Sequence, residues 1–203
     1  MRNHTYTRNP LDYLIAKFHA SRTAGATLDA CRELGFRAEL VVDCGANANQ
    51  VTRYWLREWP DAKLVSIEAN RNCRPAGQVI HTALGSTNGT ARFHLDGGRS
   101  HIDQDGGVTV TVKRFDSLGL DIPERSIVKV DCETSTYEAL LGMGAELSKF
   151  RLAHVEVNND DLAPRIYGLM AERGFTAHRV TDASGWRRSI SFYDVLFLRE
   201  AGR

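Results

Sequence analysis

Short apolar runs that each stop at an acid punctuate this chain: "LVVD" ends at Asp43, "KLVSIE" at Glu68, "SIVKVD" at Asp131 and "LAHVE" at Glu156. Runs this short and this rich in Val and Ile suit strands buried on both faces. Between them lie stretches with helical spacing: "NQVTRYWLREWP", halted by Pro60, "TYEALLGMGAELSKF", and "DLAPRIYGLMAERGF", closed by Gly174. Strands alternating with helices predict a mostly parallel sheet with helices on both faces. The 203 residues are enough for one such domain with a sizeable core and few for two.

The N-terminal stretch "PLDYLIAKFHASRTAGATLDACRELGF" reads as two helical pieces broken near Gly25, opening at Pro10 and closed by Gly35. Residues 1–37 are therefore set apart as an N-terminal helical segment, a candidate lid or acceptor cap, ahead of a main domain at 38–203. "GQVIHTAL" is a third strand, and "TARFHL" and "VTVTVKRF" form a β-pair around a Gly- and Asp-rich loop. The last two β-runs, "TAHRV" and "ISFYDVLFL", have no helix between them and should form an antiparallel hairpin at one sheet edge. Trp186, beside Arg187 and Arg188, fits either a hairpin tip or a stacking contact for a sugar ring.

Charge separates function classes. With 26 basic and 25 acidic residues the chain is nearly neutral, which gives no electrostatic case for nucleic acid or an acidic membrane. No apolar run approaches the roughly 20 residues of a membrane span. "MRNHTYTRNP" lacks the apolar core of a secretion signal, so a cytoplasmic protein is expected. Cys31, Cys44, Cys73 and Cys132 are scattered without metal-site spacing and are expected to be unbridged.

In open α/β sheets ligands sit beyond the carboxyl ends of the strands. Here those ends carry Asp43-x-Gly45-x-Asn47, Glu68, Asp131-x-Glu133 and Glu156-x-Asn158. Gly45 would let the backbone approach a ligand. Glu68, 25 residues after Asp43, suits a carboxylate that takes both hydroxyls of a ribose. A pyrophosphate turn would carry GxGxxG, whereas this one has a single glycine followed by Asn47 and Asn49. Asp43 would repel phosphate and favour a cation or an amino group. A ribose, a cationic centre and no phosphate describe S-adenosylmethionine (SAM) better than NAD.

"VVDCGANANQVTRYW", "KLVSIEANRN", "TALGSTNGTARFHL" and "IVKVDCETSTYEALLGM" resemble, in order and spacing, the motifs of the FkbM family of class I methyltransferases, over roughly residues 39–160. Asn49 stands where the family usually has glycine, and its "DxEG" is here Asp131-Cys132-Glu133-Thr134. The resemblance implies a Rossmann-like, mostly parallel seven-stranded sheet ending in an antiparallel hairpin. It implies cofactor contacts at Asp43, Gly45, Ala46 and Asn47, the ribose on Glu68, and adenine flanked by Thr82, Ala83 and Leu84. Asp131 would lie near the methionine end and the acceptor.

Methyl transfer to a hydroxyl needs the acceptor held in line and its proton removed, by a base or through a metal that lowers its pKa. Asp131 and Glu156 should end neighbouring strands. With Asn158 they form a candidate oxygen site for Mg²⁺ (or Mn²⁺). His101, in the loop where the family places an acceptor-side Ser, is the leading histidine base, and Glu133 is grouped with Asp131 and His101 as catalytic candidates. His154 alternates with apolar residues and is expected to be structural. The reading is a SAM-dependent O-methyltransferase acting on a hydroxyl of a small glycoside, oligosaccharide or related secondary metabolite. A carbohydrate acceptor is preferred because the 96–107 loop is polar, and a homodimer is compatible with the sequence. The alternatives are an NAD(P)-dependent oxidoreductase and a non-catalytic SAM- or nucleotide-binding protein.

Overall fold

The computed structural model describes residues 10–96, 100–157, 161–182 and 193–200. Helix α1 spans Pro10–Glu33, followed by β1 (Leu40–Cys44), α2 (Thr52–Glu58), β2 (Lys63–Ile67) and β3 (Gln78–Ile80). Then come β4 (Ala83–Leu84), β5 (Gly89–His94), β6 (His101–Ile102), β7 (Val108–Lys113) and β8 (Ser126–Val130). Helix α3 (Thr136–Met143), β9 (Leu152–Val157), α4 (Ala163–Glu172), β10 (Phe175–Asp182) and β11 (Tyr193–Arg199) complete the described chain.

The main sheet has seven strands in the order β10-β11-β9-β8-β1-β2-β3. From β3 to β9 the neighbours pair in parallel, while β11 runs antiparallel to both β9 and β10. Both the parallel sheet and the C-terminal hairpin therefore agree with the sequence reading. Alternate residues of the strands feed two cores. Val42, Val128, Val155 and Phe197 face α3 and α4. Val41, Ile127, Leu152 and Leu196 face α1 and α2, where Trp55 and Trp59 fill the space. Among the described residues, no helix is long and apolar enough to cross a membrane.

Three expectations need correction. The N-terminal pieces are one continuous helix through Gly25. Ala20, Thr23, Ala24, Thr27, Leu28 and Cys31 repeat at three- and four-residue steps and are all buried. That stripe outweighs the ~1 kcal/mol cost of one helical glycine. The helix closes as expected, with Gly35 left-handed and the Phe36 amide donating back to the Cys31 carbonyl at 2.8 Å.

The second correction concerns "GQVIHTAL", which is two strands in two sheets. β3 stays beside β2, whereas β4 joins a separate sheet of order β4-β7-β5-β6. Thr82 makes the transfer, its hydroxyl donating to the Thr111 carbonyl on β7 at 2.9 Å. Third, the helix in "TYEALLGMGAELSKF" stops at Met143, and Gly144–Lys149 continue as a tighter 3₁₀ turn.

Candidate active site

The turn after β1 is built by backbone more than by side chains. The Gly45 and Ala46 amides both donate to the Ile67 carbonyl at the end of β2, at 3.0 and 3.1 Å. Gly45 has φ +75°, and a Cβ on it would stand 1.8 Å from the Asp131 carbonyl oxygen. Its glycine is thus demanded by the neighbouring strand end, whether or not a ligand approaches the turn.

Asn47 and Asn49 are also left-handed, at φ 46° and 53°. Asparagine tolerates that region, and at Asn49 the side chain adds what glycine could not. Its amide donates to Asp43 at 2.9 Å and Ser66 at 3.0 Å, and its oxygen accepts the Ala76 amide at 2.6 Å.

Glu68 is buried, and both carboxylate oxygens are fixed by backbone amides, Oε2 by Asn47 at 2.8 Å and Oε1 by Asn70 at 2.7 Å. Burial pushes its pKa up, against the pull of those two N–H groups. Each oxygen keeps a second lone pair, so a diol is still able to donate to it.

These elements frame one cleft enclosing about 630 Å³ of empty space, mouth included. Gly45, Asn47, Glu68, Ala83 and Leu84 line it, and so do Asp131, Glu133 and His101. Eight of the expected site residues therefore meet in one place. Asp43 and Ala46 lie beneath the lining. Asp43 is buried and accepts Asn49 and the Thr52 hydroxyl, the latter at 2.6 Å. None of the described side chains of α1 is part of the lining.

The far wall comes from the second sheet. Phe93, Ser100, His101 and Ile102 reach the cleft from β5 and β6. Asn70 donates to Ser100 at 3.3 Å and the Thr134 hydroxyl to the Ile102 carbonyl at 3.4 Å, which ties this wall to the strand ends. His101 Nε2 lies 3.9 Å from Asp103. Glu133 has φ 53°, an uncommon value for a side chain of its size.

Beneath the floor runs a row of polar side chains, two of which, Ser66 and Lys129, the sequence reading did not single out. Register sets Ser66, Asp43, Lys129 and His154 side by side across four strands. Lys129 Nζ is 2.8 Å from Asp131 and 3.6 Å from Asp43. Burial opposes its charge, but the Asp131 and Asp43 carboxylates outweigh burial and hold it an ammonium. The signal was present: a lysine inside "SIVKVD", in a strand due to be covered on both faces, requires buried partners. His154 is structural, as expected. It shares a 2.9 Å hydrogen bond with Thr27, lies 3.2 Å from Asp194 and meets Trp55 edge-on.

Asp131 and Glu156 follow paired residues of neighbouring strands, close enough for each to shift the other's pKa. Burial disfavours the Asp131 charge most strongly, but Lys129 and Glu156 together outweigh it and hold its pKa below the ordinary range. Burial and then the Asp131 charge push Glu156 well above its ordinary value. The arrangement does not fit the expected Mg²⁺ or Mn²⁺: the Lys129 ammonium already lies 2.8 Å from Asp131, and Glu156 does not line the cleft. Asn158, the third proposed ligand, lies outside the described residues, as do Trp186, Arg187 and Arg188. Among the described residues no cluster of three or more His, Cys, Asp or Glu side chains is arranged to hold a metal.

Similarity to known proteins was found at the level of structure. No family model matches the chain, and no curated protein matches its sequence. Magnesium protoporphyrin IX methyltransferase (ChlM) from Synechocystis PCC 6803, with bound SAM, superposes with a TM-score of 0.57 at 12% identity, over 98% of this chain and 88% of that one. The methyltransferase domain of bacterial CtHen1-C gives 0.53 at 8% identity, over 90% and 98% of the two chains. The fold is that of the class I, Rossmann-like methyltransferases. At such identities the likeness extends to the fold alone.

Proposed function

We propose that this protein is a cytoplasmic SAM-dependent O-methyltransferase of FkbM type acting on a hydroxyl of a small, uncharged, polyhydroxylated acceptor, with carbohydrate favoured. The observation that carries this reading is the charge of the cleft. Its described lining holds Glu68, Asp131, Glu133 and His101 and contains no lysine or arginine. An acidic cleft with a ribose-binding carboxylate suits a sulfonium and an ammonium and opposes the pyrophosphate of NAD.

When bound, SAM supplies a methyl group already activated on sulfur. The chain's part is to bind, orient and deprotonate. Glu68 takes the ribose hydroxyls, the Asn47 turn lies against the methionine side, and Ala83 and Leu84 flank the adenine. Asp131 is the first candidate for the acceptor proton, with His101 and Glu133 at the same end of the cleft. The polar wall at Ser100 and His101 supports a hydroxylated acceptor over an apolar one.

Calorimetry with S-adenosylhomocysteine (SAH), SAM, NAD and NADP tests the cofactor. A panel of free and partly methylated sugars, read by mass spectrometry for a gain of one methyl, tests the acceptor. Binding of NAD without SAH, or SAH binding with no methyl gain on any sugar, would overturn the respective half of this reading.

A further inference from the structure

Lys129 is the one buried cation beside the acceptor end of the cleft among the described residues, with a side chain 6% exposed. It reaches two carboxylates from the middle of a strand. Register places it beside Asp43, whose Oδ1 has no hydrogen-bond partner and faces Nζ at 3.6 Å. The nearer contact, 2.8 Å, is to Asp131, two residues along the same strand face and one step closer to the cleft. Asp131 itself lines the cleft and Lys129 does not. The ammonium therefore holds one oxygen of the acceptor-side carboxyl from beneath the cleft.

We propose that Lys129 is a positioning residue for methyl transfer: its ammonium occupies the place a divalent ion would take and holds Asp131 toward the acceptor, so the reaction needs no metal. The inference rests on the methyltransferase reading above. A divalent ion organises an acceptor site by neutralising carboxylates and fixing their orientation. Lys129 does both from within the sheet, with a covalent tether and no hydration shell to shed. The acceptor hydroxyl donates a hydrogen bond to the ionised Asp131 and gives up its proton to it as the methyl passes from sulfur to oxygen. The sulfonium becomes a neutral thioether, and the proton leaves Asp131 for solvent.

The full-length chain, freed of metal with chelator and saturated with SAH, is titrated with Mn²⁺ while the EPR signal of the free ion is followed. No stoichiometric uptake is expected. Uptake of one Mn²⁺ at sub-millimolar concentration that disappears in Asp131→Asn would overturn the proposal. In parallel, lysine-selective ¹⁵N NMR should detect a slowly exchanging Lys129 ammonium, assigned by its loss in the charge-balanced variant Asp43→Asn/Lys129→Met. That resonance should move or broaden in Asp131→Asn. A resonance indifferent to Asp131→Asn would make Lys129 a partner of Asp43 alone and a purely structural residue. With an acceptor in hand, the double variant should lose at least about 100-fold in kcat while KM for SAM changes little; equal losses in both would also count against positioning. SAH calorimetry on the wild-type chain separates the two failures, because a chain that binds no SAH defeats the methyltransferase reading whatever Lys129 does.

Discussion

The Asp131 carbonyl oxygen fills the volume that a side chain on Gly45 would need, with 1.8 Å between that oxygen and an ideal Cβ. The ends of β1 and β8 are thereby locked together at the point where the cleft begins. Gly45→Ala should cost about 3 kcal/mol or more, combining the left-handed penalty with displacement of the β8 end. Urea unfolding measures it. A loss under about 1 kcal/mol would mean the two strand ends separate cheaply.

Glu68 has two duties, and two variants separate them. Glu68→Ala should weaken SAM by about 2–4 kcal/mol, roughly 30- to 1000-fold, and also release the Asn47 and Asn70 amides. Glu68→Gln keeps an acceptor for one amide and should retain more of the fold while still losing affinity. Calorimetry on the folded variants reads the difference. Unchanged SAM affinity in Glu68→Ala would remove this residue from the site.

Asn49 is tested by the two ways of deleting its side chain. Asn49→Gly keeps the left-handed backbone but removes three buried hydrogen bonds, for a cost of about 2–3 kcal/mol. Asn49→Ala should cost about 1 kcal/mol more, because alanine resists that backbone region. Equal losses for the two would show that the backbone at this position is free to relax.

Glu156 makes a pH prediction. Burial first, and then the charges of Asp131, Asp194 and Glu133, raise its pKa above the ordinary 4.5. The folded state therefore holds a proton that the unfolded chain releases. Its contribution is full at pH values below the unfolded value and is lost as pH rises from there toward the folded one, with a slope of at most ~1.4 kcal/mol per pH unit. Glu156→Gln imitates the protonated form, so the variant should gain stability over wild type at neutral pH and match it near pH 4. Denaturation curves across that range provide the check; a gain that does not grow with pH would place the proton elsewhere.

The strand ends were legible because side-chain alternation and burial force each apolar run to stop where it meets solvent. An acid at Glu68 or Asp131 then marks the cleft directly. Lys129 was equally visible in "SIVKVD", but its partners are set by strand register, which no single run discloses. The break between β3 and β4 depends on pairing with β7, almost thirty residues away, through the Thr82 hydroxyl and the β4 backbone. Gly25 misled because a local propensity near 1 kcal/mol was weighed without the buried stripe that overrides it. The metal expectation paired Asp131 with Glu156 without Lys129, the chain's own cation 2.8 Å from Asp131.

The cleft is walled by two sheets with separate hydrogen-bond ladders. One carries the turn at Gly45 and Glu68, where any substitution disturbs the core of the domain. The other brings Phe93, Ser100, His101 and Ile102 on short strands that are mostly exposed on their outer side. Changes there can remodel one side of the cleft while the opposite side keeps its shape. For design, the molecule has a constrained jaw and a tolerant one, and a library confined to β5 and β6 is the natural route to altering the cleft.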